Sequence, residues 1–103
     1  MARKGPFLIA SAAAGLLLLP TAQADAVTKG QIMASNCLAC HGSQGQGPGE
    51  MPAIRDFTEK GLINRLQSFR EGKDPSVTVM DRHAKGYSDA ELRAIAKHIT
   101  NLE

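Results

Sequence analysis

Cys37-Leu38-Ala39-Cys40-His41 crowds two nucleophilic thiols and a metal-ligating imidazole at fixed spacing within a chain of 103 residues. The pattern is C-x-x-C-H, the attachment signature for c-type haem. Two thiols three residues apart near the end of a helix can each add to a vinyl group of one porphyrin. The adjacent His41 then lies under the iron and supplies an imidazole nitrogen. Blander uses of the same residues are a structural zinc site, a thioredoxin-like redox pair and a bare disulfide. Zinc needs four ligands, and His83 and His98 stand 15 apart, not the roughly 3–5 residues of a finger. A thioredoxin-like pair sits beside a βαβ pattern, and none is legible here.

A second axial ligand must come from elsewhere, and Met33, Met51 and Met80 are the methionines downstream of the first residues. Met33 lies on the segment leading into the motif, so its expected role is packing on the His41 side. Met51 precedes Pro52 in the loop that returns past His41. Met80 follows a hydrophobic stretch 39 residues after His41, long enough for the chain to circle a porphyrin. Met80 is the favoured ligand and His83 its competitor. A thioether stabilises ferrous iron relative to a second imidazole. Two strong axial ligands also leave no open coordination position, which points to electron transfer and away from oxygen chemistry.

Three helical segments can position these groups. The first runs from about Thr28 to Ala39, with Thr28 as N-cap and Met33, Cys37 and Cys40 on one face. Residues 42–52 hold four glycines and two prolines and read as loop. The second helix spans about Thr58 to Arg70, striped by Leu62, Leu66 and Phe69 and stopped by Gly72 and Pro75. Val77-Thr78-Val79-Met80 has strand propensity but no partner strand, so an extended buried loop is expected. Ser88 and Glu91 form a capping box, and Leu92, Ile95, Ala96, Ile99 and Leu102 continue as one apolar face. The fold class is therefore all-α, with three main helices and long loops. Such loops in so small a domain need something to wrap around.

Composition supports that need. Residues 1–24 have the three parts of a secretory signal peptide: Arg3 and Lys4, the apolar run Phe7 to Leu19, and the small-x-small site Ala22-Gln23-Ala24. The run is shorter than the roughly 20 apolar residues that span a bilayer, so no permanent membrane anchor is expected. Of the 79 residues from 25 to 103, 29 are hydrophobic, a thin core that usually requires a disulfide, metal or cofactor as a staple. Removing Arg3 and Lys4 leaves ten basic and ten acidic residues. No basic tract suggests nucleic acid. A multidomain enzyme is excluded by length.

These motifs resemble class I cytochromes c, and within them the small cytochrome subunits of flavocytochrome c sulfide dehydrogenases. The likeness covers essentially residues 28–100. It rests on Cys37 to Gly42, Met51-Pro52-Ala53-Ile54, Leu66 to Gly72, and above all the run Val79 to Asp89. The resemblance implies a class I cytochrome c fold around one haem c bound covalently through Cys37 and Cys40, with His41 and Met80 on the iron. It further implies that the Pro52 carbonyl accepts the His41 N–H, that Ile54 and Phe69 pack on the haem, and that Gly30 meets His98 where the first and last helices cross. His98, Gly61 and Arg55-Asp56 depart from the usual family residues and leave local packing open.

The function so implied is that of a periplasmic electron-transfer subunit with no catalysis of its own. An FAD-containing sulfide dehydrogenase flavoprotein would supply electrons, and a soluble acceptor such as another cytochrome c would take them. A freely diffusing monohaem carrier, or the haem subunit of another periplasmic dehydrogenase such as one for sulfite, shares the same site pattern. An exported metal-binding or thiol-exchange module is the reading from another class. Lys73, Arg82 and Lys85 flank the Met80 loop as a solvated rim or a docking patch.

Overall fold

The computed structural model describes residues 5–6, 11–15, 17–18 and 26–103. The leader expected over 1–24, with Arg3, Lys4 and its cleavage site, falls for the most part outside the described residues. No helix among the described residues is long and apolar enough to cross a membrane. Four helices follow in chain order: α1 (Lys29–His41), α2 (Glu59–Arg70), α3 (Met80–Ala84) and α4 (Asp89–Ile99). The described residues contain no strand, so the all-helical expectation is met.

Each longer helix starts on a hydroxyl cap, which satisfies N–H groups that the first turn leaves without a partner. Thr28 Oγ1 accepts from the Gln31 N–H at 3.1 Å, and Thr58 Oγ1 accepts from the Gly61 N–H at 3.0 Å. Ser88 and Glu91 close the reciprocal box expected from sequence, at 3.1 and 3.2 Å. Leu92, Ile95, Ala96 and Ile99 are all buried on α4. Leu102 lies beyond the end of that helix and is half-buried.

Three expectations need correction. Helix α1 does not stop at Ala39 but carries both thiols and His41, ending where Gly42 takes a φ of 94°. Its inward face is Gly30, Met33, Ala34 and His41, with Cys37 half-buried on it, whereas Cys40 is exposed. The spacing from 37 to 41 stays on one helical face, but residue 40 is rotated off its centre. Second, Val77 to Met80 is not a buried extended loop. Val79 is 50% exposed, and its carbonyl accepts the Arg82 and His83 N–H groups, so a fourth, five-residue helix begins at Met80. The β-branched run misleads because Asp74 closes a side-chain turn onto the Ser76 N–H just before it, at 2.9 Å.

Third, what stands nearest to Gly30 is the Ala94 backbone and not the His98 ring, which lines the same surface hollow as Gly30. A Cβ at position 30 would lie 2.7 Å from the Ala94 carbonyl oxygen and 3.1 Å from its carbon. The crossing of α1 and α4 is a contact between backbones, and half-buried His98 lies beside it. Gly30→Ala would gain about 1 kcal/mol of helix propensity, yet overpacking against rigid backbone costs about 1–3 kcal/mol. We expect the clash to dominate and Tm to fall by several degrees, as read by thermal unfolding of the holoprotein. An unchanged or higher Tm would show that the helices can separate at no cost.

Candidate functional site

Helix α1 delivers Cys37, Cys40 and His41 to one end of an apolar crevice. The loop over 42–52 then turns sharply back. The Gly47 N–H donates to the His41 carbonyl at 2.8 Å, and the Gly45 carbonyl accepts from Ile54 and Arg55 at 2.8 and 3.2 Å. Gly47 has a φ of 71°, and a Cβ there would lie 2.4 Å from the Met51 carbonyl oxygen. Only glycine suits both constraints. The result is that the Pro52 carbonyl oxygen sits 2.7 Å from His41 Nδ1.

That contact orients the imidazole. A carbonyl oxygen can only accept, so Nδ1 carries a proton, and Nε2 is the nitrogen left to serve as a ligand. His41 is 6% exposed, the one buried polar side chain among the described residues. A ring so placed is oriented before any metal arrives.

The second and third helices build the rest of the crevice. Ile54, Leu62, Leu66, Phe69 and Met80 line its inner part with Cys37 and His41, and Ile95 and Ile99 close it from α4. An outer lobe of about 490 Å³ runs between the Pro52 loop and residues 76–80. A third lobe touches Cys37, Cys40, Tyr87 and His83. His41 and Met80 line all three lobes. Thus Cys37, Cys40, His41, Pro52, Ile54, Phe69 and Met80 all come together, although Met80 is 39 residues from His41 in sequence. Met51, 37% exposed, stands at the rim, and His83 is exposed.

Sequence reasoning missed Arg65, whose side chain also lines the crevice. Its position between Leu62 and Phe69 on the apolar stripe was the available signal. It also missed that Arg70 ties α2 to the start of α4, pairing with Asp89 and donating to the Tyr87 carbonyl at 3.3 Å. The Arg70 guanidinium holds the Asp89 carboxyl below the usual aspartate range.

The donor set discriminates among chemistries. Among the described residues, no three His, Cys, Asp or Glu side chains converge to hold a metal ion, so His83 and His98 do not complete a zinc site. Both cysteines are free thiols. Burial pushes the Cys37 thiol above its ordinary value, with a smaller contribution from Cys40, the reverse of a thiolate primed for exchange. What remains is an apolar crevice lined by both thiols, an oriented imidazole and a thioether. These residues fit an iron porphyrin.

Comparison with known proteins agrees. The sequence model of the cytochrome c family matches residues 27–103. The chain is 33% identical over 106 residues to the cytochrome subunit of sulfide dehydrogenase of Chlorobaculum tepidum, covering 99% of this chain and 96% of that one. It is 28% identical over 88 residues to cytochrome c-553 of Helicobacter pylori, covering 84% and 91%. It is 33% identical over 70 residues to a thiosulfate dehydrogenase electron acceptor of Stutzerimonas stutzeri, covering 64% of this chain and 32% of the other. The chain belongs to the cytochrome c family: it is an electron-transfer protein without catalysis of its own, and haem c is the prosthetic group that this membership implies.

Proposed function

We propose that residues 25–103 form a single-haem subunit that accepts electrons from a periplasmic sulfide-oxidising flavoprotein and passes them to a soluble acceptor. Cys37 and Cys40 hold the porphyrin through thioether bonds, and His41 and Met80 ligate the iron. Residues 1–24 direct export and are removed. When bound, haem supplies a one-electron ferric/ferrous couple. The protein's part is to fix that couple and exclude water from it. The Pro52 carbonyl holds His41 Nδ1–H and so strengthens the imidazole as a donor. Met80 would supply a thioether ligand, which favours ferrous iron. Ile54, Leu66 and Phe69 provide the dry walls.

The observation that carries the haem part is that one buried imidazole and one thioether line the same apolar crevice beside both thiols. The partner part is supported by the similarity to a sulfide dehydrogenase cytochrome subunit along nearly the whole of both chains. Exposed Met51, Pro52 and Val79 beside the crevice offer an apolar contact rim. Lys73 adds little charge there, because Glu71 pairs with it at 2.7 Å. Arg82 and Lys85 are exposed and have no ion pair among the described residues. The likeness to a thiosulfate dehydrogenase electron acceptor supports a second reading, in which a different sulfur-oxidising enzyme is the donor.

Purification of the native protein from its host tests the partner. Co-elution with a flavin that bleaches on adding sulfide, followed by haem reduction, is expected. A haem protein that elutes alone and is reduced only through another dehydrogenase would replace this reading with the second.

A further inference from the structure

Met80 sits on a segment with few polar ties to the rest of the chain. From Val77 to Gly86, the backbone hydrogen bonds among the described residues all close within residues 74–87. Helix α3 has no side-chain N-cap, and its five residues fall well short of the roughly 12–15 that a helix needs to stand alone. The anchors lie at the two ends of the segment. At the first, the Lys73 N–H donates to the Ser68 carbonyl at 3.0 Å, and Asp74 pairs with Arg65 at 3.1 Å. At the second, the contacts converge on Tyr87, the one tyrosine of the chain. Its carbonyl accepts from Arg70 Nη1 on α2 at 3.3 Å. Its hydroxyl meets Asn36 Nδ2 on α1 at 3.4 Å.

Among the described residues, the Asn36–Tyr87 contact is the only hydrogen bond or ion pair between α1 and residues 73–88. A hydroxyl donates as well as accepts, so either orientation of the Asn36 amide keeps it. Both residues line the lobe that also touches Cys37, Cys40, His41 and Met80. The half-buried Tyr87 further lines a small hollow with Met80, Ala84, Leu92 and Ile95. Arg70 is itself fixed, because it pairs with Asp89 at the start of α4. Residue 87 thus ties α1 and α2 to the end of the Met80 segment. A phenyl ring would fill the same hollow, and the reach to Asn36 is what the hydroxyl adds.

We propose that Tyr87 is a positioning residue for the thioether ligand: through Asn36 it is the clasp that keeps the Met80 segment closed on α1. The proposal rests on the reading that Met80 ligates haem iron. Exchange of Met80 for an outside ligand requires the segment around α3 to move away. Because that segment bonds mainly to itself, its opening is a local event set by the contacts at its ends. Loss of the clasp lowers the cost of opening and leaves the thioether links, His41 and Met80 untouched. The effect runs through the backbone of α3 and needs no bond from Tyr87 to sulfur.

Imidazole titrations of the ferric holoprotein test this, carried to concentrations far above those that saturate an open iron. Covalent haem is checked on a stained denaturing gel. In Tyr87→Phe, which keeps the ring, the midpoint for displacing Met80 should fall roughly 2- to 10-fold, the contribution of one hydrogen bond. Asn36→Ala should reproduce the shift, and the two substitutions together should not add. Gly30→Ala is the control, since it loosens the crossing of α1 and α4 and should leave the imidazole midpoint in place. If Tyr87→Phe does not fold, Asn36→Ala at its exposed site still reads the clasp. An unchanged midpoint in Tyr87→Phe, additive shifts in the double variant, or an equal shift in Gly30→Ala overturns the proposal. A wild type that takes up imidazole as readily as Met80→Ala overturns the ligand reading itself, and this proposal with it.

Discussion

Serine at both positions 37 and 40 is expected to leave the chain without colour on a denaturing gel and without cooperative unfolding. The protein interior explains the size of the effect. Among the described residues, nine hydrophobic ones are buried, and three of them are alanines. A domain of this size is stable by only about 4–12 kcal/mol, and each fully buried Leu or Ile contributes about 1.5–3 kcal/mol. Without a bonded plate, the crevice walls formed by Leu62, Leu66, Phe69, Ile95 and Ile99 would lose their packing partner. Far-UV circular dichroism and a urea titration of the double variant read the outcome. A compact, colourless protein with a sharp urea transition would mean that the polypeptide supplies its own interior.

Met80→Ala should open one axial position while leaving both thioether links intact. We expect the midpoint potential to fall by on the order of 0.1 V or more, within the roughly 0.8 V that axial-ligand identity controls. Added imidazole should then bind the variant and change its visible spectrum, with no such response in the wild type. His83→Ala serves as the contrast, because His83 is exposed and its removal should leave spectrum and potential unchanged. If His83→Ala opens the iron and Met80→Ala does not, the ligand assignment is reversed.

The parts of this site legible from the residues alone are mostly those encoded by near neighbours, whereas the Pro52 contact, Ile54 and Phe69 came from the family resemblance. C-x-x-C-H names the thiols and the imidazole outright. The Ser88–Glu91 box and the spacing of Leu92, Ile95 and Ile99 mark α4 because capping and periodicity are local properties. Helix α3 was not legible. Five residues are too few to show a period, and Val77 and Val79 suggest a strand by propensity when the Asp74 turn has already redirected the chain. Arg65 was hidden for a different reason. A cation at the edge of an apolar stripe reads as solvent-facing charge, and Arg65 is indeed about half exposed; only the fold shows that it also lines the crevice and pairs with Asp74, nine residues later. His98 does line the hollow beside Gly30, but sequence shows that a small residue is needed without showing that the surface nearest to it is the Ala94 backbone.

The two sides of the crevice differ in how far the chain must travel to make them. His41 meets Pro52 eleven residues later, whereas Met80 arrives after 39. Closing the longer span costs about 1 kcal/mol more in chain entropy, so the short, glycine-turned segment is expected to close ahead of it. The imidazole would then be oriented while the side of residues 73–88 still admits a large flat ligand.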